Sequence, residues 1–583
     1  VPAEDNAPTT PEPVRDVPAP EPWLHRLREA LLIAALALVL NFAGNGRISL
    51  WDRDEPRYAG CTREMRASGD YIHPTFNAEP RYHKPVLIYW LMLGGTALGG
   101  DNAFGARLVS ALMGTGTVLL VWALGRRMFG RDAGRIAALM LATAPIVVAE
   151  SKMATTDATL TFFLVACFWS LWELSKRESR LWVGVFWVAL ALATMTKGPV
   201  GPVLVTFAGA VAWWWGGPTL VCLRRLRWSW GVPIYFLITA PWYIAIGIIS
   251  NGDFYRVSMG YHVVRRMTTG IETHGGFPGY YVALSLVLFF PWSTLLPAAV
   301  YGFWSRRRES PDFGFLLGWL VGPLLFLELV RTKLIHYYLP AYPAAALMGA
   351  WLVLAVARSE VNLRRWPLGR LSLGLLSGIG IGLSVALLAG ALVLPAAMRW
   401  PCLALALVVA PGTLYAMERF QAGAPRRAAF VLVGNWAVAL LILFGWLAPA
   451  IDPYRLSPLL ARHLRDASAR TGATPMLAGY KAPSVVYYYG EPVSLFEGRD
   501  RLVQTVRTSG PVVTALSKDE IGLLKREPAL TMEYHELVRG VDVEHAKDVT
   551  LQMVVLKPRA GGGAASAPAA AVAGPAGEQP LVK

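Results

Sequence analysis

Apolar runs of about 17–25 residues, long enough to cross the hydrocarbon of a bilayer, recur along this chain between residues 30 and 448. Where lipid surrounds the backbone, its polar groups have to be satisfied within the segment itself. Runs of this kind therefore fold as a bundle of helices. The composition agrees, with 54% hydrophobic residues, 16% charged residues and 22 tryptophans in 583. The net charge of +16 does not mark a nucleic-acid binder, because the basic residues are not gathered on one continuous stretch. They sit in small clusters between apolar runs: Arg126, Arg127, Arg131 and Arg135; Lys176, Arg177 and Arg180; Arg224, Arg225 and Arg227; Arg306, Arg307 and Arg308; Arg358, Arg364 and Arg365; Arg419, Arg426 and Arg427.

Clusters so placed read as cytoplasmic loops under the positive-inside rule. Spans are predicted at 30–45, 104–124, 134–149, 158–174, 181–196, 199–215, 231–249, 280–302, 313–330, 337–356, 370–395, 401–417 and 428–448. The run Val86–Leu98 is short and broken by glycines. Counting it as a crossing would put the Arg126–Arg135 loop outside, so it reads as re-entrant or interfacial. The expectation is a polytopic α-helical membrane protein of about 13 transmembrane helices, with its two termini on opposite sides.

Residues 1–29 read as a disordered cytoplasmic leader, 30–451 as the transmembrane part, 452–558 as a small periplasmic α/β domain, and 559–583 as a disordered tail. In the α/β part, SVVYYY (484–489), PVVTALS (511–517) and LQMVVLKP (551–558) are β-prone, while LSPLLARHLRDAS (456–468) fits a helix. The four cysteines, Cys61, Cys167, Cys222 and Cys402, have no metal-ligand or disulfide spacing.

Charges on the outer side carry no topological duty and so become informative. In the first outer loop, about 45–103, stand Asp52, Asp54, Glu55, Arg57 and Tyr58, then Arg81, Tyr82, His83 and Lys84. Further along come Asp157, Lys197, His262 with Arg265 and Arg266, and the stretch Arg331, Lys333, His336, Tyr337, Tyr338 and Tyr342. A lone Lys197 or Arg331 also fits a snorkelling anchor, and Tyr337 and Tyr338 fit an aromatic belt. The adjacent acids Asp54 and Glu55 fit neither role, since an acidic pair near lipid is costly without a task or a partner. Glu79, His83 and His262 are weak candidates for a divalent ion, with no fixed ligand spacing behind them.

DEPRYA (54–59), HKPVLIYWL (83–91), TTD (155–157), TKGP (196–199) and KLIHYYLPAYPA (333–344) together resemble the polyprenyl-phosphate-dependent, C-type membrane glycosyltransferases. The similarity is to the branch that holds the protein O-mannosyltransferases and the bacterial aminoarabinose transferases of lipid A. It covers about the first 350 residues by motif, and the C-terminal part by layout alone. The resemblance implies a multi-pass inner-membrane enzyme with its site facing the periplasm. It implies an undecaprenyl-phosphate aminosugar as donor, lipid A phosphate as acceptor, a role in polymyxin resistance, no required cofactor and no nucleic-acid partner; the oligomeric state stays open, a monomer being compatible with the sequence. The same fold with a protein hydroxyl as acceptor is the near alternative, and a lipid flippase is the alternative from another class.

Under the leading reading, Asp54, Glu55 and Asp157 are catalytic. Lys84, Arg57, Tyr82, Arg265, Arg266 and Tyr342 bind the donor phosphate, where fixed cations stabilise the charge that develops as it leaves. Tyr58, His83, Lys197, Arg331, Lys333, His336, Tyr337 and Tyr338 line the cavity. A protein hydroxyl would require Asp54 as a base. A phosphate acceptor, whose second pKa near about 6 leaves it ionised at neutral pH, would leave Asp54 to orient the acceptor or hold the sugar's ammonium.

Overall fold

The structure, a computed structural model, describes residues 22–559 apart from 53, 259, 261–275, 496–497, 543–544 and 546. The chain opens with α1 (Trp23–Phe42), α2 (Asp54–Ser68), a hairpin of β1 (Thr75–Phe76) and β2 (Glu79–Pro80), and α3 (Leu87–Gly99). Then come α4 (Ala103–Phe129), α5 (Arg131–Ala142), α6 (Pro145–Ser151), α7 (Asp157–Lys176), α8 (Arg180–Lys197) and α9 (Val200–Trp214). Among the described residues nine helices are long and apolar enough to cross a membrane, and ten if the bent pair α5–α6 counts as one span. This is a multi-pass membrane protein. At about 1.5 Å per residue, the 13 residues of α3 reach only about 20 Å, short of a bilayer's hydrocarbon thickness of about 30 Å.

Two spans read as continuous in the sequence are interrupted. The 134–149 run is two helices meeting at 65°. Ala144 is extended ahead of Pro145, because proline disfavours helical backbone in the residue before it. The 280–302 run breaks into Tyr280–Leu288 and Leu296–Ser305, joined by a short 3-10 turn after Pro291. Proline removes a backbone donor there and ends the first helix.

At the end of the bundle that carries the basic clusters, those arginines do more than set topology. Glu29 of α1 is buried and accepts hydrogen bonds from Trp122, Arg126, Arg131 and Arg135. The α4–α5 turn is thereby tied to the first helix. Close packing continues toward the other end, where a Cβ on Gly114 of α4 would collide with the Ser151 side chain of α6.

From Leu456 onward the chain forms a five-stranded sheet of order β4-β3-β5-β7-β6, from β3 (Thr474–Leu477), β4 (Ser494–Leu495), β5 (Val512–Leu516), β6 (Leu530–Asp542) and β7 (Lys547–Pro558). The first three pair in parallel, and β7 pairs antiparallel with both β5 and β6. Alternation in β5 sends Val513 and Ala515 into a core with Leu460 and Leu464 of the helix Leu456–Thr471, while Val512 and Leu516 pack with Leu502 and Val506 on the other face. PVVTALS and LQMVVLKP are strands as read, and LSPLLARHLRDAS is a helix. SVVYYY is not a strand: Pro483–Tyr489 is a helix with proline in its first turn and Gly490 in the left-handed region at its end. Packing of Val485 and Val486 against the sheet overrides the β-propensity of valine and tyrosine.

Candidate active site

Asp54 and Glu55 form the first turn of α2, where the positive end of the helix dipole favours acids. Consecutive helical positions point in different directions, and the two acids divide accordingly. Glu55 is fully buried (0% exposed) and Arg107 of α4 nearly so (2%). The guanidinium donates to Glu55 Oε1 at 2.8 Å and Oε2 at 2.7 Å. Its remaining donors go to the carbonyls of Asn45, Ile48 and Ser49. The Glu55 carboxylate also accepts from Trp51 N at 2.8 Å and Ala154 N at 2.6 Å. Three segments, the loop before α2, α4 and the turn before α7, are thus fixed on one carboxylate, which has no oxygen left for a substrate.

Asp54 keeps part of its surface accessible, while protein and protein charge surround its carboxyl. Burial acts against its ionisation, but Arg81, then Arg57, His336 and Lys84, outweigh it and hold the carboxyl below its ordinary value of 3.8. The hairpin delivers two of these groups, Arg81 and Lys84. Asn77 and Ala78 both have positive φ, as a tight two-residue turn requires, and Glu64 of α2 accepts from Thr75 Oγ1 and Asn77 N. This places Arg81, Tyr82, His83 and Lys84 beside the start of α2, with Arg81 over the ring of Tyr58 at 5.5 Å.

Across from Asp54, the first residue of α7, Asp157, accepts from Lys197 at the end of α8 at 2.5 Å. Lys197 also lies 4.9 Å over the Tyr337 ring. His336 is 3.8 Å from Asp157 Oδ2 through Nε2 and 3.9 Å from Glu150 Oε1 through Nδ1. Lys84 and His336 interact electrostatically with both Asp54 and Asp157. Residues from α2, the hairpin, α7, α8 and the 331–338 turn therefore meet in one acid–base cluster. Burial lowers the imidazole of His336 below its usual 6.5, with Asp157 opposing, so it is neutral at pH 7.

Several sequence candidates have other partners. Tyr82 bonds His73 at 2.8 Å. Lys333 pairs with Glu328 at 2.7 Å. Tyr338 donates to Leu320 O, and Tyr342 is buried with its hydroxyl on Ser285 and its ring stacked on Phe289. Arg331 and Glu79 are exposed, and His83 is half-buried. His262, Arg265 and Arg266 lie outside the described residues. Among the described residues no three His, Cys, Asp or Glu side chains are placed to share a metal ion. All four cysteines are buried and unbridged, and burial pushes the Cys61 thiol up to about 12.

The sequence reading missed Arg107 and Glu150. A lone arginine inside an apolar run is the signal for the first. For the second, the signal is a carboxylate seven residues before Asp157, at the end of another such run.

The C-terminal sheet domain grips the same loop from outside. Asp52 accepts from Ser484 N and Oγ and from Ser457 Oγ. Arg455 donates to the carbonyls of Ser49 and Leu50, and Asn77 exchanges two hydrogen bonds with Val493. A cavity of about 140 Å³ remains between them, lined by Trp51, Asp52, Arg455, Leu456, Ser457, Tyr480 and Val541. It adjoins the acid–base cluster without including Asp54.

Residues 83–244 match the family described as dolichyl-phosphate-mannose-protein mannosyltransferase. An undecaprenyl phosphate-alpha-4-amino-4-deoxy-L-arabinose arabinosyl transferase of Pseudomonas fluorescens is 34% identical over 57% of this chain and 61% of its own length. A second from the same species is 31% identical over 75% of this chain and 72% of its own length. This chain belongs to the undecaprenyl phosphate-aminoarabinose arabinosyl transferase family. Its alignment with the first of these relatives spans somewhat less than two thirds of that protein. The fold is also that of a solved family member, ArnT from Cupriavidus metallidurans bound to undecaprenyl phosphate, with a TM-score of 0.73 and 21% identity over 90% of this chain and 97% of the other. In the arabinosyl transferase fold as this chain builds it, the motif acids stand at helix starts on the side of the bundle opposite the Glu29 arginine nest.

Proposed function

We propose that this chain is an inner-membrane glycosyltransferase that moves 4-amino-4-deoxy-L-arabinose from undecaprenyl phosphate to a phosphate group of lipid A on the periplasmic face. The observation that carries the reading is that Lys84 and His336 each interact electrostatically with both Asp54 and Asp157. Such a cluster offers fixed cations for a lipid-tethered phosphate and carboxylates for a cationic sugar. In the proposed reaction an oxygen of the acceptor phosphate attacks the anomeric carbon. The bond from that carbon to the undecaprenyl phosphate oxygen breaks, and negative charge collects on the leaving phosphate. Lys84 and Arg57 stabilise it, as preorganised cations do best where charge develops.

Asp54 is a poor proton acceptor in this setting, since a carboxyl held below its ordinary range by Arg81 and Arg57 is a weak base. An acceptor phosphate already ionised near pH 7 does not need one. Asp54 therefore orients the acceptor and Arg57 rather than taking a proton, and Glu55 acts as a positioning residue through Arg107. The low basicity favours a phosphate acceptor over the protein hydroxyl that a mannosyltransferase would use.

The topology belongs to the same proposal. The nine long helices, the bent α5–α6 pair, α1, α9 and the interrupted 280–305 segment make thirteen crossings, with 1–29 cytoplasmic, the domain 452–558 periplasmic and 559–583 a tail. The enzyme works as a monomer, and polymyxin resistance follows from the masked lipid A charge. Purified protein incubated with lipid A and undecaprenyl-phosphate aminoarabinose tests the reading by mass spectrometry. An aminopentose increment on lipid A is expected. Its absence, with transfer to a Ser- or Thr-containing peptide from a polyprenyl-phosphate hexose, would replace this reading by the O-mannosyltransferase one.

A further inference from the structure

Glu150 is 7% exposed, and its carboxylate stands apart from the other buried ones. Glu29, Glu55, Asp157, Glu173 and Asp542 each accept hydrogen bonds from side chains or backbone N–H groups. Among the described residues Glu150 has no side-chain hydrogen bond. Neighbouring donors are committed elsewhere, Ser151 Oγ to Val147 O and Lys152 Nζ to Ala43 O at 2.6 Å. Glu150 also sits in the last turn of α6, where backbone carbonyls repel a carboxylate. A buried carboxylate so placed is costly unless a cation meets it.

The His336 ring stands beside it, with Nδ1 3.9 Å from Glu150 Oε1, beyond hydrogen-bond distance, and the Lys197 ammonium, bonded to Asp157, acts on it only from farther away. The other ring nitrogen, Nε2, faces Asp157 at 3.8 Å. With carboxylates at nearly equal distances on its two sides, the ring stands between Asp157 and Glu150 and hydrogen-bonds neither. The 3.9 Å gap between Glu150 and the ring stands beside the acid–base cluster, and among the described residues no side chain donates to Glu150 across it. A primary ammonium, with three donors and a positive charge, is the complement of that gap, whereas a hydroxyl is neutral and brings one donor.

We propose that Glu150, beside His336, recognises the ammonium group of the transferred aminosugar and is the residue that makes the enzyme prefer an amino donor over its hydroxyl counterpart. This rests on the aminoarabinose reading of the site and names the group that reads the amine.

The test measures kcat/KM for purified full-length protein with two donors, undecaprenyl-phosphate 4-amino-4-deoxy-L-arabinose and undecaprenyl-phosphate L-arabinose, on one lipid A acceptor. The wild-type ratio is expected to favour the amine at least tenfold. In Glu150→Gln that ratio falls at least tenfold, with the loss in KM for the amino donor. If Glu150→Gln does not purify as a monodisperse protein, Glu150→Asp is read by the same ratio, expected to fall about threefold or more because the shorter side chain retreats from the gap. A wild-type ratio near one, or a ratio unchanged in the variant whatever the absolute rates, overturns the inference. Wild-type protein that transfers no aminoarabinose at all instead overturns the underlying assignment of the reaction.

Discussion

Arg107 and Glu55, 52 residues apart in sequence, face each other through two hydrogen bonds of 2.7 and 2.8 Å with almost no exposure on either side. Each is the other's only charged hydrogen-bond partner among the described residues, so loss of one leaves a buried charge uncompensated. Breaking a pair of this kind costs about 3–5 kcal/mol, and replacing both members by apolar groups is much less damaging. Glu55→Gln is therefore expected to lower the thermal unfolding temperature in detergent sharply. The double variant Glu55→Leu, Arg107→Met should recover part of that loss without recovering transfer, because Asp54 loses its support.

Asp54 is one residue away and predicts a different phenotype. Its carboxyl is held below 3.8, so it remains ionised from pH 5 to 8. Asp54→Asn should lower transfer by about a hundredfold, the scale of a misplaced reacting group, by the same factor at each pH in that window. A defect confined to one limb of the pH–rate profile would instead identify Asp54 as a titrating base.

For Lys84, removal of one preorganised cation is expected to cost about a hundredfold or more in kcat. Lys84→Ala should thus lose turnover, measured on lipid A with saturating donor, while the protein keeps its melting temperature. Lys84→Arg, which preserves charge, should retain part of the rate.

His336 supplies the pH dependence of stability. Its folded-state pKa lies below the ordinary 6.5, so in the interval just under 6.5 the unfolded chain binds more protons than the native one. Stability therefore rises with pH through that interval and falls as the solution is acidified from 6.5. The decline is read as the difference between wild type and His336→Gln in thermal unfolding followed from pH 7 to 5, the wild type losing more stability on acidification than the variant.

Asp54, Lys84, Asp157, Lys197 and His336 were legible because each is a charge at a helix end that membrane topology does not explain. The apolar runs and basic clusters likewise gave the bundle. What stayed hidden depends on partners distant in sequence. Arg107 reads as one charge in a long apolar run until Glu55 is set beside it. The arginines of the α4–α5 turn read only as topology signals until Glu29 appears among them. The bend at Ala144 had a local cause, Pro145, hidden by the hydrophobicity around it. SVVYYY misled because its valines pack on a sheet from a helix, a placement that propensity does not encode. Tyr338 and Tyr342 carried the right residue type for a sugar site, but their hydroxyls bond to Leu320 O and Ser285.

The clasp of Ser457, Ser484 and Arg455 on residues 49–52 means that the C-terminal sheet domain cannot be treated as an appendage. A chain cut after the last long helix would bare the Asp52 carboxylate and strip the loop leading into α2 of its outer brace. The geometry of the acidic pair is thus a joint property of the first hundred residues and of the stretch from Arg455 to Ser484, and evolution could not exchange one of these parts between relatives without retuning the other.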